Sequence, residues 1–224
     1  MDDNKRNIME KRIHKTIENL KANNMQAFYV GKKEDVLPLV SKLIKEGETV
    51  AVGGSMSLFE CGVIDFLRKG NFNFLDRYKE GLTQDDIKKI YIDSFSADTY
   101  LCSSNAVTEK GELYNVDGAS NRTAAILYGP KSVIMVVGHN KIVKNIDEAI
   151  NRVKTIAAPA NCVRLKCETF CKNKGECMSY SAKDNNITAG CNTPARICCN
   201  YVISAYQRIK DRIKVIIVGE ELGY

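Results

Sequence analysis

Val50-Ala51-Val52-Gly53-Gly54-Ser55-Met56-Ser57 is the stretch on which the fold turns. The apolar run from Thr49 to Val52 has the length and composition of a buried strand, and it stops abruptly at two glycines. Ser57-Leu58-Phe59-Glu60 then matches a capping box, which predicts a helix to about Lys69 with Gly70 as its C-cap. A strand that feeds a tight glycine turn into a helix is the repeating unit of α/β proteins. The turn has two readings. Backbone N–H groups at a helix start could cradle a phosphate or carboxylate, or the glycines could serve only the backbone angles of the turn. It carries the glycine spacing of neither a P-loop nor a dinucleotide fingerprint.

Outward from this unit the same alternation continues. Gln26 to Val30, Asn73 to Leu75, Ala97 to Ser103, Ser132 to Val137 and Lys214 to Val218 read as short apolar strands. Between them, Val36 to Ile44, the segment after Thr83 and the segment after Ser120 read as helices. Asn145 with Glu148 opens a further helix that should finish before Pro159. Glu109-Lys110-Gly111-Glu112 is a turn joining Ala106 to Thr108 with a return strand from Leu113. The pattern predicts an α/β fold, a mostly parallel open sheet with flanking helices. An amphipathic helix over residues 1–24 packs on a domain spanning 25–224, and a cysteine-rich insertion over 160–199 interrupts the rhythm.

The chain has 224 residues, with 44% hydrophobic and 27% charged side chains, which excludes collagen-like, disordered and coiled-coil classes. Net charge is +6, yet residues 25–159 hold 17 basic and 17 acidic side chains, so the surplus sits at the two ends. No basic run interleaved with aromatics occurs, so nucleic-acid binding is not expected. No apolar run approaches the roughly 18 residues of a membrane span. The first 21 residues are charged throughout, unlike a signal peptide, and a reducing cytoplasm is the expected compartment.

Two further constellations could carry chemistry. Asn105 and Glu109 lie in one polar stretch, and in the next Asp117, Asn121 and Arg122 fall where a strand ends and a helix begins, the edge at which open α/β sheets bind ligands. Arg122 could grip an anion while Asp117 or Glu109 exchanges a proton; equally, Asp117-Gly118 could be a turn, Ser120 a cap and Arg122 a surface charge. The other is the set of seven cysteines from Cys162 to Cys199, out of nine in the chain. Thiolates at this density could hold zinc or a 4Fe-4S cluster, although the spacing matches neither a zinc ribbon nor a ferredoxin, and plain reduced thiols or disulfides are the alternatives. Histidine is scarce: His14 lies on a polar helix, and nothing supplies a Ser-His-Asp or Cys-His arrangement.

Gly53-Gly54-Ser55-x-Ser57-Leu58-x-Glu60-x-Gly62, Ser104-Asn105-Ala106-Val107-Thr108-Glu109-x-Gly111, Asn115-Val116-Asp117-Gly118-x-x-Asn121-Arg122 and Asn140-Lys141-Ile142-Val143 together resemble the lactate utilisation (LUD) domain family. The similarity runs in order along nearly the whole chain, and the Asn-Val-Asp-Gly-x-x-Asn-Arg element is its most specific part. Within the family the chain looks like the lactate utilisation protein C-like members, and like a subgroup with a C-terminal cysteine motif. Cys171 and Cys177 match that motif's first part, and Cys191 and Cys198, with Pro194, Arg196 and Ile197, its second. The 13-residue gap between Cys177 and Cys191 departs from it.

The resemblance implies a fold similar to that of ribose-5-phosphate isomerase and the CoA transferases, and a part in lactate or organic-acid oxidation beside iron–sulfur oxidoreductase subunits. Gly53, Gly54, Ser55, Glu60, Asn105, Asn121 and Lys141 would then bind a small carboxylate or phosphate. Glu109, Asp117 and Arg122 would be the catalytic candidates, and Cys171, Cys177, Cys191 and Cys198 the ligands of a metal or cluster. An isomerase-like or transferase-like enzyme acting on a sugar phosphate or acyl-CoA, and a non-catalytic scaffold, are the competing expectations. A homo-oligomer is compatible with any of them.

Overall fold

Strands that are apolar on both faces belong in the middle of a sheet, and the two longest apolar runs of this chain take that place. A computed structural model describes residues 2–182, 184 and 186–224. Its strands are β1 (Gln26–Val30), β2 (Thr49–Val52), β3 (Asn73–Leu75), β4 (Thr99–Cys102), β5 (Ala106–Thr108), β6 (Leu113–Asp117), β7 (Ser132–Gly138), β8 (Ile142–Val143), β9 (Asn200–Ser204) and β10 (Ile213–Val218). Six of them form one parallel sheet in the order β1-β10-β7-β4-β2-β3. Along β7, Val133, Met135 and Val137 face one core while Ile134 and Val136 face the other, the two-residue period of a strand buried on both sides.

Helices cover both faces. α1 (Asp3–Ala22) lays Ile13, Ile17 and Leu20 on one, joined there by Ala125 and Ile126 of the later helix Asn121–Leu127. The opposite face is covered by α2 (Val36–Leu43), α3 (Met56–Glu60) and α4 (Val63–Lys69), through Val40, Leu58, Ile64 and Leu67. The capping pattern predicts a single helix from Ser57 to Lys69. The chain instead breaks at Gly62, in the left-handed region at φ 69°, and the N-cap is Ser55, with no capping bond from its side chain. Ser57 is already inside the first turn, where its hydroxyl accepts a bond from Lys141. α5 (Gln84–Asp93) does begin with the expected capping box of Thr83 and Asp86.

β5, β6, β8 and β9 make a second, mixed sheet in the order β8-β5-β6-β9. The helix Asn121–Leu127, α6, is not capped by the Ser120 side chain: Ser120 sits at φ 62°, and the Asp117 carboxylate takes the N–H of Thr123 at 3.1 Å. After α7 (Ile146–Arg152) the helix does not stop before Pro159. A π turn, Val153–Ala157, shifts the register so that the N–H of Ala158 bonds the carbonyl of Val153, and α8 (Ala158–Arg164) follows with Pro159 in its first turn. A new first turn is where a missing N–H costs nothing. α9 (Phe170–Lys174) and α10 (Met178–Ser181) are short helices of the cysteine-rich region. Among the described residues no helix is long and apolar enough to cross a membrane.

α1 is pinned to the turn between β5 and β6. Glu109 pairs with Arg12 at 2.8 Å and Lys15 at 3.1 Å, while the Asn19 and Asn23 side chains donate to the carbonyls of Glu109, Lys110 and Gly111. Gly111 sits at φ 79°, and a Cβ there would lie 2.6 Å from the Asn19 backbone. Gly111→Ala is therefore expected to cost about 2 kcal/mol or more, from left-handed strain plus the clash, read as a lowered denaturation midpoint. An unchanged midpoint would show that α1 is not held at this turn. Burial alone would raise the Glu109 pKa, but the bonds from Arg12 and Lys15 outweigh it and hold the carboxylate below its ordinary range. A depressed folded pKa stabilises above the unfolded value and is lost as pH falls through the folded one. Glu109→Gln should thus cost about 1 kcal/mol near pH 7, and the difference from the parent protein should vanish well below pH of about 4.

Candidate functional site

The direction of the crossovers locates the site. From β2 the chain passes through α3 and α4 to β3 on one side, whereas from β4 it leads through the second sheet and α6 to β7 on the other. β2 and β4 are neighbours, so their carboxyl ends flank a topological switch point, the crevice where open α/β sheets bind ligands. A cleft of about 320 Å³ lies there. Its walls include Gly54 and Ser55 after β2, Ser103, Ser104 and Asn105 after β4, and Asp117, Gly118, Asn121 and Arg122 at the start of α6. Lys141 comes from the turn after β7, Asn161 and Arg164 from α8, Arg77 from the loop before α5, Tyr91 from the last turn of α5, and Ile197 from the cysteine-rich region.

Arg122 is 9% exposed and its guanidinium is already committed. Nη1 donates to the Ser103 carbonyl at 3.1 Å and Asn115 Oδ1 at 2.6 Å; Nη2 donates to Asn105 Oδ1 at 2.8 Å and the Val116 carbonyl at 2.9 Å. Nε lies 3.9 Å from Asp117 Oδ2. Four of five donors are spent on the protein, so Arg122 braces the cleft and contributes positive potential rather than gripping an anion with its fork. Gly53 is part of this brace: a Cβ there would meet the Tyr100 hydroxyl at 2.9 Å and Arg122 Cγ at 3.1 Å. Asn105 is likewise a strut, since its Oδ1 also accepts the Val116 N–H and its carbonyl accepts from Arg152.

Lys141 is only 3% exposed, and its amine donates to Ser57 Oγ at 3.2 Å and Ser103 Oγ at 3.1 Å. Burial first, then the nearby positive charges of Arg152 and Arg122, push its pKa down to about 7. Ser55 is 9% exposed on the cleft wall, and its hydroxyl oxygen is buried with no hydrogen-bond partner among the described residues. At the mouth, Arg77 stacks on Tyr91, 4.6 Å from the ring centre, and Arg164 donates twice to Asn161 Oδ1. The short α3 adds little dipole, so the positive character of the cleft comes from Arg77, Arg122 and Arg164, with Asp117 the single carboxylate among the described lining residues.

The expected site residues therefore divide. Gly54, Ser55, Asn105, Asp117, Asn121, Arg122 and Lys141 line the cleft, with Gly53 directly behind it. Glu109 does not: it is spent on Arg12 and Lys15 at the far turn, which removes it as a proton carrier for this site. Glu60 also points elsewhere, accepting the Gly223 N–H at 2.9 Å and tying down the C-terminal residues. Ser103, Arg77, Tyr91, Asn161, Arg164 and Tyr224 join the wall unannounced by any local motif.

The four expected cysteine ligands, Cys171, Cys177, Cys191 and Cys198, all line one small apolar cavity of about 20 Å³ between α8, α9 and β9. As they stand they do not converge: among the described residues no three His, Cys, Asp or Glu side chains are placed to hold a metal ion. The closest thiol pair is Cys171 and Cys162, 3.6 Å apart, so Cys162 belongs to the same group. Burial raises the pKa of Cys191 and Cys198 and favours neutral thiols there, an effect the charge of Arg196 partly offsets.

No curated protein matches the chain. A crystal structure of a DUF162 family protein from Deinococcus radiodurans is similar over 94% of this chain and 98% of that one, with 14% identity and a TM-score of 0.51. That likeness shows the fold alone. A crystal structure of eIF2B beta from Chaetomium thermophilum, 16% identical over 54% of this chain and 42% of that one, reaches a TM-score of only 0.36 and carries no argument. The LUD domain family model matches residues 13–218, which takes in both sheets, the switch-point cleft and the cysteine-rich region, and the chain belongs to the LUD domain family.

Proposed function

We propose that this protein binds a small carboxylate or phosphate in the switch-point cleft and serves lactate or related organic-acid oxidation beside iron–sulfur oxidoreductase subunits. The observation that carries the reading is the charge of the cleft: Arg77, Arg122 and Arg164 surround a space whose only described carboxylate is Asp117. Low-dielectric walls of one sign concentrate an oppositely charged ligand. Arg77 and Arg164 have N–H groups to spare for it, and the unpartnered Ser55 hydroxyl is a ready donor deeper in.

Isomerase-like chemistry on a sugar phosphate would use the same cleft. At about 320 Å³ the space is at the small end for metabolite pockets, which favours a compact anion over an acyl-CoA. The cysteine group is a separate matter. The thiols line a cavity of about 20 Å³, closer in size to one ion than to a cluster, which favours a single zinc held by Cys171, Cys177, Cys191 and Cys198, with the thiols turned inward, over a 4Fe-4S cluster on the same four residues. Such an ion would tie α9 and the start of α10 to the segment that leads into β9, and would supply no step of the cleft chemistry.

Calorimetric titration with inorganic phosphate and oxalate tests the binding. Arg164→Ala and Arg77→Ala should each weaken it about tenfold, or ~1.4 kcal/mol, without unfolding the chain. Absence of binding by either anion would end the anion reading. Arg122→Lys should act differently, losing about 2–4 kcal/mol of stability because carbonyls and amide oxygens buried around the guanidinium are left unpaired. For the metal, zinc measured on anaerobically purified protein should approach one ion per chain; a clearly substoichiometric value removes it.

A further inference from the structure

Arg77 and Arg164 stand at the mouth of the cleft, one half-buried and the other exposed, whereas Lys141 lies at its base. Lys141 has two hydrogen-bond acceptors, Ser57 Oγ and Ser103 Oγ, and among the described residues no carboxylate pairs with it. An ammonium has three N–H groups to satisfy; a neutral amine has two and keeps one lone pair. The count of acceptors fits the neutral amine. Its surroundings agree: burial first, then the charges of Arg152 and Arg122, disfavour the proton, and Glu60 and Cys102 offset them only in part, so that the pKa falls to about 7. A lysine meant simply to hold an anion would need the charge that this setting removes.

We propose that Lys141 forms a reversible imine with the carbonyl carbon of a small carbonyl compound, a 2-oxo acid or a phosphorylated aldehyde, whose anionic end is held by Arg77 and Arg164. This rests on the anion-binding reading of the cleft and names the substrate class for it. The lone pair of Nζ attacks the carbonyl carbon, the C–N bond forms and the C=O π bond opens. One N–H proton passes to the carbonyl oxygen, for which the Ser103 hydroxyl at 3.1 Å is a relay. The second leaves with that oxygen as water, so amine and carbonyl give imine and water with no oxidant or co-reactant. Ser57 and Ser103 orient the nitrogen without consuming its lone pair.

The full-length protein is incubated near pH 7 with cyanoborohydride and either glyoxylate or glycolaldehyde phosphate, and the reduced adduct is located by peptide mass spectrometry. Hydride reduction fixes the imine as a secondary amine. Lys141 is expected to be labelled at least tenfold faster than the exposed Lys45 and Lys110, the glyoxylate and phosphate arms showing which anion is preferred. Its rate should stay level above pH of about 7 and fall below it, whereas that of Lys45 should keep rising towards pH of about 10. Labelling of Lys141 no faster than Lys45, with oxalate or inorganic phosphate still bound in calorimetry, overturns the imine and leaves anion binding standing. If neither anion binds and Lys141 is unlabelled, both readings fall.

Discussion

The guanidinium of Arg122 is the point through which the two sheets of this protein are joined. It takes a carbonyl from the end of β4, an amide oxygen from the loop entering β5, and an amide oxygen and a carbonyl from β6, and it is carried on α6. Hydrogen bonds to a charged donor in a buried setting are roughly twice as strong as neutral ones. The polar ends of four segments therefore converge on one side chain without orphaning a carbonyl, and a cleft can exist between sheets that would otherwise have to pack dry. Gly53 and Asn105 follow from this, one because any side chain would strike the brace, the other because its amide oxygen is shared between Arg122 and β6.

Buried cations with carbonyl rather than carboxylate partners recur through the molecule. Arg212 donates to the carbonyls of Ala125, Ile126 and Pro130 and so closes the C-terminal end of α6, while Arg152 donates to those of Asn105 and Asn140. These arginines bind chain ends that have no ladder partner. Part of the basic surplus that a composition count assigns to the surface is thus internal, holding crossovers in place. Lys141 shares the burial but not the carbonyl partners.

The parallel sheet was legible because its strands are apolar on both faces, and period and length alone separated β7 and β10 from their flanking helices. Helix starts were less legible. Ser57 and Ser120 satisfy the statistical pattern of caps, but Ser57 is drawn to Lys141 and Asp117 reaches the N–H that Ser120 leaves free. The π turn before Pro159 has no local signature. The cleft itself was half visible. Residues in the strand-end loops could be named from sequence, whereas Arg77, Arg164 and Tyr224 arrive from segments whose local pattern says only charged or polar. Glu109 misled because its loop reads as catalytic, and its partners lie about 95 residues earlier, on a helix that charge patterning alone could not dock.

α8 presents Asn161 and Arg164 to the cleft, and on its other side Cys162 meets Cys171. Its rotational phase relative to α7 is set by the π turn, which amounts to one extra residue in an otherwise α-helical run. One residue corresponds to about 100° of rotation. The two sides of α8 consequently share a single phase: a deletion of one residue within Val153–Ala157 would carry arginine and thiol away from their neighbours together. Length in that turn is therefore constrained from two directions at once.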